Sequence, residues 1–319
     1  MGEEATTAKR RRWLRRESNP LLVKELRGRM RGARAFVVLT VYLLLLSCFT
    51  SVIYYAYAAN ISGPAGGQEM ANLGKTIFAS VVLIEIFLVT FITPAFTAGA
   101  ISGERERKTY ELLRATLLPA HKLVSGKLAS ALTYMLLLVL AAVPLESLAF
   151  VLGGVVVEEL ALALIILLAT AFTCAALGLF FSSFARTTLA STVLTYATSL
   201  MATIGLPVLL LIFVTALIDP IMYGYGSYEP SWIVEILVMY LAIFFASLSP
   251  ISAAVLTEVF LEQEDALLYF WYDLSNTSHA PITRIPLPSS WIIYTVVCLT
   301  LALLLLLITV LRVRRQAMR

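Results

Sequence analysis

Two histidines, three cysteines and a few carboxylates inside apolar runs are the residues through which this chain could do chemistry. They do not converge. His121 and His279 lie in stretches that the charge pattern below puts on opposite sides of a membrane, which excludes a two-histidine zinc site within one chain. Cys48, Cys174 and Cys298 all fall inside apolar runs without CxxC spacing, so neither a disulfide framework nor a metal site is expected. No GxxxxGK[ST] phosphate loop is present. Gly74-Lys75-Thr76 resembles the tail of one, but Glu69 stands where its first glycine should be. The chain is therefore not expected to hydrolyse ATP or to bind a cofactor or metal by itself. No Ser/His/Asp set or carboxylate cluster argues for an enzyme.

Glu85 lies ten residues into an apolar run, roughly 15 Å deep at the helical rise. A carboxyl there is either a hydrogen-bonded structural group or part of a transport path. Glu146, after Pro144 near the end of another run, is expected to be exposed at the interface. Thr192, Thr195, Ser199 and Thr203 recur at helical spacing. They can line a substrate path. Interhelical bonding, or bonding back to the preceding turn, is the plainer reading.

The polar island from Pro94 to Lys127 is the one long charged segment between apolar runs. Ser102 or Gly103 can cap a helix there, with Glu104 and Glu106 in its first turn, where the helix dipole favours negative charge. Glu104 with Lys108, and Arg107 with Glu111, stand four apart and can pair along a helix. Tyr110, Leu113 and Leu117 form an apolar stripe, and Pro119 ends the segment. A helix over 103–118, outside lipid, is the expectation.

Hydrophobic residues make up 60% of the chain and charged residues 14%, far from a soluble average. Several apolar runs exceed the length needed to cross a bilayer. Spans are expected near 35–58, 76–98, 128–150, 160–181, 189–217 and 290–311, the fifth kinked at Gly205 and Pro207. Of the 24 basic residues, all but Lys75 and Arg284 lie in the N-terminal arm, the island, the turn at Arg186 or the C-terminal tail. The positive-inside rule puts those segments and both termini in the cytoplasm, for a multi-pass protein of the plasma (inner) membrane. Trp232–Leu256 is long enough to cross, yet a seventh crossing would put the basic tail outside. Ser249-Pro250 interrupts it and Glu235 lies within it, so a hairpin that enters the outer leaflet and returns is expected. Tyr54, Tyr55, Trp271 and Trp291 fit interface anchors. The arginine-rich residues 1–18 fit a solvated arm on anionic lipid and do not point to nucleic acid. Leu22, Leu26 and Met30 then line one face of a segment carrying Lys24 and Arg27 on others, an amphipathic helix lying in the inner interface.

The run SGERERKTYELL at 102–113, the Gly126-Lys127 opening the next span, and NPLLVKELRGRMRGARAF at 19–36 resemble the ABC-2 type permease family. That resemblance implies a coupling helix beginning at Glu104 and Glu106 and docking on a separate ATPase, with Arg105, Arg107, Tyr110, Leu113 and Leu117 in the contact. It also implies half-helices before the last span, and ATP and Mg bound in the partner. The fold expected is all-α and polytopic: six transmembrane helices, an N-terminal interfacial helix, a cytoplasmic coupling helix and an external re-entrant hairpin. Residues 1–34 form the arm and interfacial helix, and 35–319 the transmembrane domain with an external region at 218–289. The function expected is the permease subunit of an ATP-binding-cassette exporter, working as a homodimer or heterodimer with an ABC ATPase subunit. A secondary, ion-coupled transporter using Glu85 is the alternative.

Overall fold

The computed structural model of the protein describes residues 25, 28, 33–60, 67–108, 119–218, 232–264, 267–273 and 284–317. Among these residues, six helices are long and apolar enough to cross a membrane. This is an all-α polytopic membrane protein. The first span is α1 (Ala33–Asn60), which is mostly exposed and buries only a stripe at Tyr42, Leu46 and Thr50. Those positions are four apart, so they share the one face that touches protein.

The second span, α2 (Gly67–Thr97), starts nine residues earlier than its apolar run suggests, which shortens the expected loop. Two glycines near this end, Gly74 and Gly154, serve close packing. A Cβ on Gly74 would lie 2.8 Å from the carbonyl oxygen of Ala149, and one on Gly154 only 1.9 Å from that of Ala71. After a short turn comes α3 (Ser102–Glu106), then α4 (Ala120–Val151), which begins directly after Pro119 in extended conformation. The turn to α5 (Val157–Phe184) uses Gly153 at φ +84°, a backbone that favours glycine.

Helix α5 is the centre of the bundle and packs against α2, α4, the fifth span and the last helix. Its second half is rich in Ala, Gly, Ser and Thr, and small residues let helices approach without lipid between them. At Gly178 a Cβ would lie 2.0 Å from Thr97 Oγ1.

The fifth span is α6 (Thr188–Leu200), a π-helical turn at Met201–Gly205, α7 (Leu206–Phe213) and a second π turn at Val214–Ile218. The departure from α geometry falls just before Pro207, which has no N–H to give to the carbonyl of Thr203 four residues back. Ser249 Oγ, from another element, donates to that carbonyl instead at 3.1 Å.

Ser249 belongs to the break between α8 (Trp232–Ala246) and α9 (Pro250–Glu264), two helices of 15 residues. Each is about 22 Å long, short of a ~30 Å hydrocarbon core. Two strands follow that the helical reading of the sequence does not foresee. β1 (Tyr269–Asp273) pairs antiparallel with β2 (Arg284–Pro288), Tyr269 opposite Pro288 and Asp273 opposite Arg284. The aromatic run of β1 suits a pleated, half-buried surface. Phe270 stacks on Phe260 of α9 at 3.8 Å between ring centroids and shares a small core with Ile243, Ile285 and Leu287. The sixth span, α10 (Ser290–Ala317), closes the bundle against α5.

Candidate functional site

The basic end of the bundle is held together through the five residues of α3. The first N–H groups of a helix have no partner of their own. Here those of Ile101 and Ser102 both donate to Ser182 Oγ of α5, at 2.8 and 2.9 Å. The cap thus comes from another helix, and the expected capping by Ser102 or Gly103 is corrected: Ser102 lies inside the helix and its hydroxyl faces Ala98 O and Ser182 Oγ. Arg105 donates to the carbonyls of Ala185 at 3.1 Å and Ser183 at 3.5 Å, satisfying the last turn of α5. A cation at a helix C-terminus also meets the negative end of its dipole.

The two glutamates leave α3 in different directions. Glu106 accepts from the backbone N–H of Thr188 at 2.9 Å and from its hydroxyl, so an anion sits on the N-terminus of α6. Glu104 accepts from Lys127 Nζ of α4 at 2.7 Å. Lys127 also donates to Glu25 at 2.9 Å, and Ser130 Oγ holds the other oxygen of Glu25 at 2.8 Å. The Lys127 side chain is only 4% exposed. An ammonium so buried is tolerated when paired, and here two carboxylates share it. This junction ties the N-terminal segment, α3 and α4 into one charged node, and α3 further joins α5 and α6.

The expected helix over 103–118 is not continuous. Helix α3 ends at Glu106, and Lys108 has φ +57°, in the left-handed region. The carboxylates find stronger partners in Lys127 and Thr188 than a surface pair four residues on would supply, since exposed i,i+4 pairs contribute only about 0.2–0.5 kcal/mol. Arg107 is exposed at the rim of the junction. Tyr110, Leu113 and Leu117 lie outside the described residues, as do Leu22, Lys24, Leu26, Arg27 and Met30.

The family model for ABC-2 family transporter proteins matches residues 20–305, most of the chain and all six spans' cores. The chain belongs to the ABC-2 transporter family. No curated protein matches it.

In this ABC-2 transporter protein, Glu85 of α2 is fully buried and accepts a hydrogen bond from Tyr42 of α1 at 3.0 Å. Glu146 is 2% exposed, which overturns the expected interfacial exposure. Helix α4 turns that residue inward against α2, and Pro144 lies inside the helix without ending it. Thr195, Ser199 and Thr203 face the protein interior, with Thr192 half-buried. Thr192, Thr195 and Ser199 donate to the carbonyls of Thr188, Ser191 and Thr195, back along their own helix, at 2.7–2.8 Å. Thr203 meets Thr90 of α2 at 3.3 Å. The stripe satisfies itself within the protein and against α2.

Sequence reasoning did not find Glu25, Lys127, Ser130, Ser182 or Tyr42 as site residues. Two of them carry a visible signal. Glu25 is the one carboxylate between residues 18 and 34, among basic neighbours, and Lys127 stands at the start of an apolar run. Ser182 and Tyr42 carry none, because their partners are more than forty residues away.

Proposed function

We propose that this chain is the membrane permease subunit of an ABC exporter and that the junction around α3 receives the stroke of a separate ATPase. In this reading both termini and the junction face the cytoplasm, and ATP and Mg are bound by the partner. Two permease chains, identical or paralogous, work with two ATPase subunits, since six spans are too few for a two-fold path. The observation that supports the reading most is the charged node of Glu104, Lys127 and Glu25. A push on the segment between α2 and α4 would travel through buried ion pairs into α4 and the N-terminal segment, and through Ser182, Arg105 and Glu106 into α5 and α6. Interactions with one defined geometry transmit displacement better than exposed, screened pairs. The tail beyond Arg107, including Tyr110, Leu113 and Leu117, would supply the apolar contact with the ATPase, and the Leu22–Met30 segment would ride in the inner interface.

The test is reconstitution of the full chain with its ATPase in liposomes, measuring ATP hydrolysis and cargo movement together. Glu104→Ala combined with Glu106→Ala should leave the protein inserted while raising the ATP hydrolysed per cargo moved. An unchanged ratio would remove α3 from the coupling path.

A further inference from the structure

Three buried groups in the membrane body are used by nothing described so far. Tyr42 of α1, Glu85 of α2 and Glu146 of α4 are each 2% exposed or less. They sit in the main apolar core among Leu46, Val82, Ile86, Leu138 and Ala142. Tyr42 donates its hydroxyl hydrogen to Glu85 Oε1. Glu85 Oε2 and both oxygens of Glu146 have no donor among the described residues. The helices that carry the two carboxyls, α2 and α4, pack on each other, and each carboxyl feels the other. Two ionised carboxylates so placed within an apolar core would be untenable, because each charge lacks solvation and repels the other.

We propose that Glu85 and Glu146 form an intramembrane proton-binding site in which the two carboxyls share one proton. Tyr42 donates to Glu85 Oε1, which leaves Glu85 Oε2 to share the one proton with Glu146. The proton enters from water and leaves to water without any change of oxidation state. The acidic groups elsewhere, Glu159, Glu258 and Glu262 with Lys75, cluster apart from the pair. Among the described residues, the ionisable groups that act on Glu85 are Glu146 and Tyr42. A proton suits the site better than a metal cation. Hard cations need six or more oxygen ligands, and here only three oxygens are without a donor while the Tyr42 hydroxyl is turned the wrong way. Because the three residues come from three spans, the shared proton fastens α1, α2 and α4 together. This holds whatever partner drives the protein.

Infrared spectra of the purified full chain in lipid nanodiscs, with thermal melts across pH, test the proposal. At neutral pH the wild type should show the C=O stretch of a protonated carboxyl, shifted in D2O and lost in Glu146→Gln. Tyr42→Phe should displace that band, which assigns it even if Glu146→Gln fails to fold. The amide of Gln donates at every pH. The wild-type melting temperature should therefore fall as pH rises through the alkaline range, while that of Glu146→Gln stays flat by comparison. A wild-type spectrum without a protonated-carboxyl band at neutral pH would overturn the proposal. So would a band indifferent to both substitutions, or stabilisation by sodium or potassium at fixed pH that Glu146→Gln abolishes.

Discussion

Lys127 shows how a single residue's role depends on partners the sequence does not pair with it. By spacing, Glu104 belongs with Lys108; in the folded protein it meets Lys127, 23 positions away, and Lys127 meets Glu25 as well. Removing one member of a buried pair leaves the others unpaired in a poorly solvated place, which typically costs about 3–5 kcal/mol. Partial exposure of the two glutamates, 18% and 25%, puts the expected loss for Lys127→Ala at the lower end, about 3 kcal/mol. Thermal unfolding of the purified protein measures it, and Arg315→Ala, at an exposed position in the tail, should be near neutral. Equal melting temperatures for the two variants would show that the node bears no stability. What was legible here was the unusual chemistry of the island: Glu104 and Glu106 near a helix start, and carboxylates that must be paired. Their partners were not legible, because local charge spacing competes with tertiary contacts that no one-dimensional pattern records. Glu146 was misread for a related reason. Its distance from the end of the span was plain, but the direction of its side chain depends on where α4 meets α2.

At the level of elements, six apolar runs translate directly into six long helices, since length and hydropathy are properties of one segment. Helix ends were less legible. Gly74 looks like a loop residue and is in fact a point of helix contact, and the strands of 269–273 and 284–288 are too short to stand out from a region of mixed composition. Two predictions belong here. Gly178→Ala places a methyl against Thr97 and the backbone of Ala98, so it should overpack the α2–α5 contact and lower stability by about 1–3 kcal/mol in thermal melts. A neutral result would mean that the two helices can move apart freely. The second concerns the carbonyl of Thr203. Ser249→Ala removes its side-chain donor and should cost about 1 kcal/mol. In a Pro207→Ala background, which restores an N–H to the same turn, the cost should be smaller, and a double-mutant cycle on the melting free energies reads the difference. Strict additivity would contradict the link between the fifth span and the α8–α9 elbow.

For the whole molecule, six of the described helices are long and apolar enough to cross a membrane, and the distribution of basic residues predicts a cytoplasmic location for both termini and the α3 junction. Single cysteines introduced at 60–72, 153–158 and 262–285 should react with an impermeant thiol reagent from outside intact cells, while those at 103–108 should not. Reaction at 103–108 would invert the topology and remove the junction from the side where an ATPase can reach it. Family membership establishes an ABC-2 transporter protein; the central claim added here is that the α3 junction meets the ATPase. Its most direct test is a photo-crosslinking residue in place of Arg107, in the full chain expressed in its source cells, with the product identified by peptide mass spectrometry. The account predicts a covalent product containing peptides of an ABC ATPase, absent when the same crosslinker replaces Gly153 at the opposite end of α4. No ATPase in the Arg107 product, or equal capture from both positions, would contradict it.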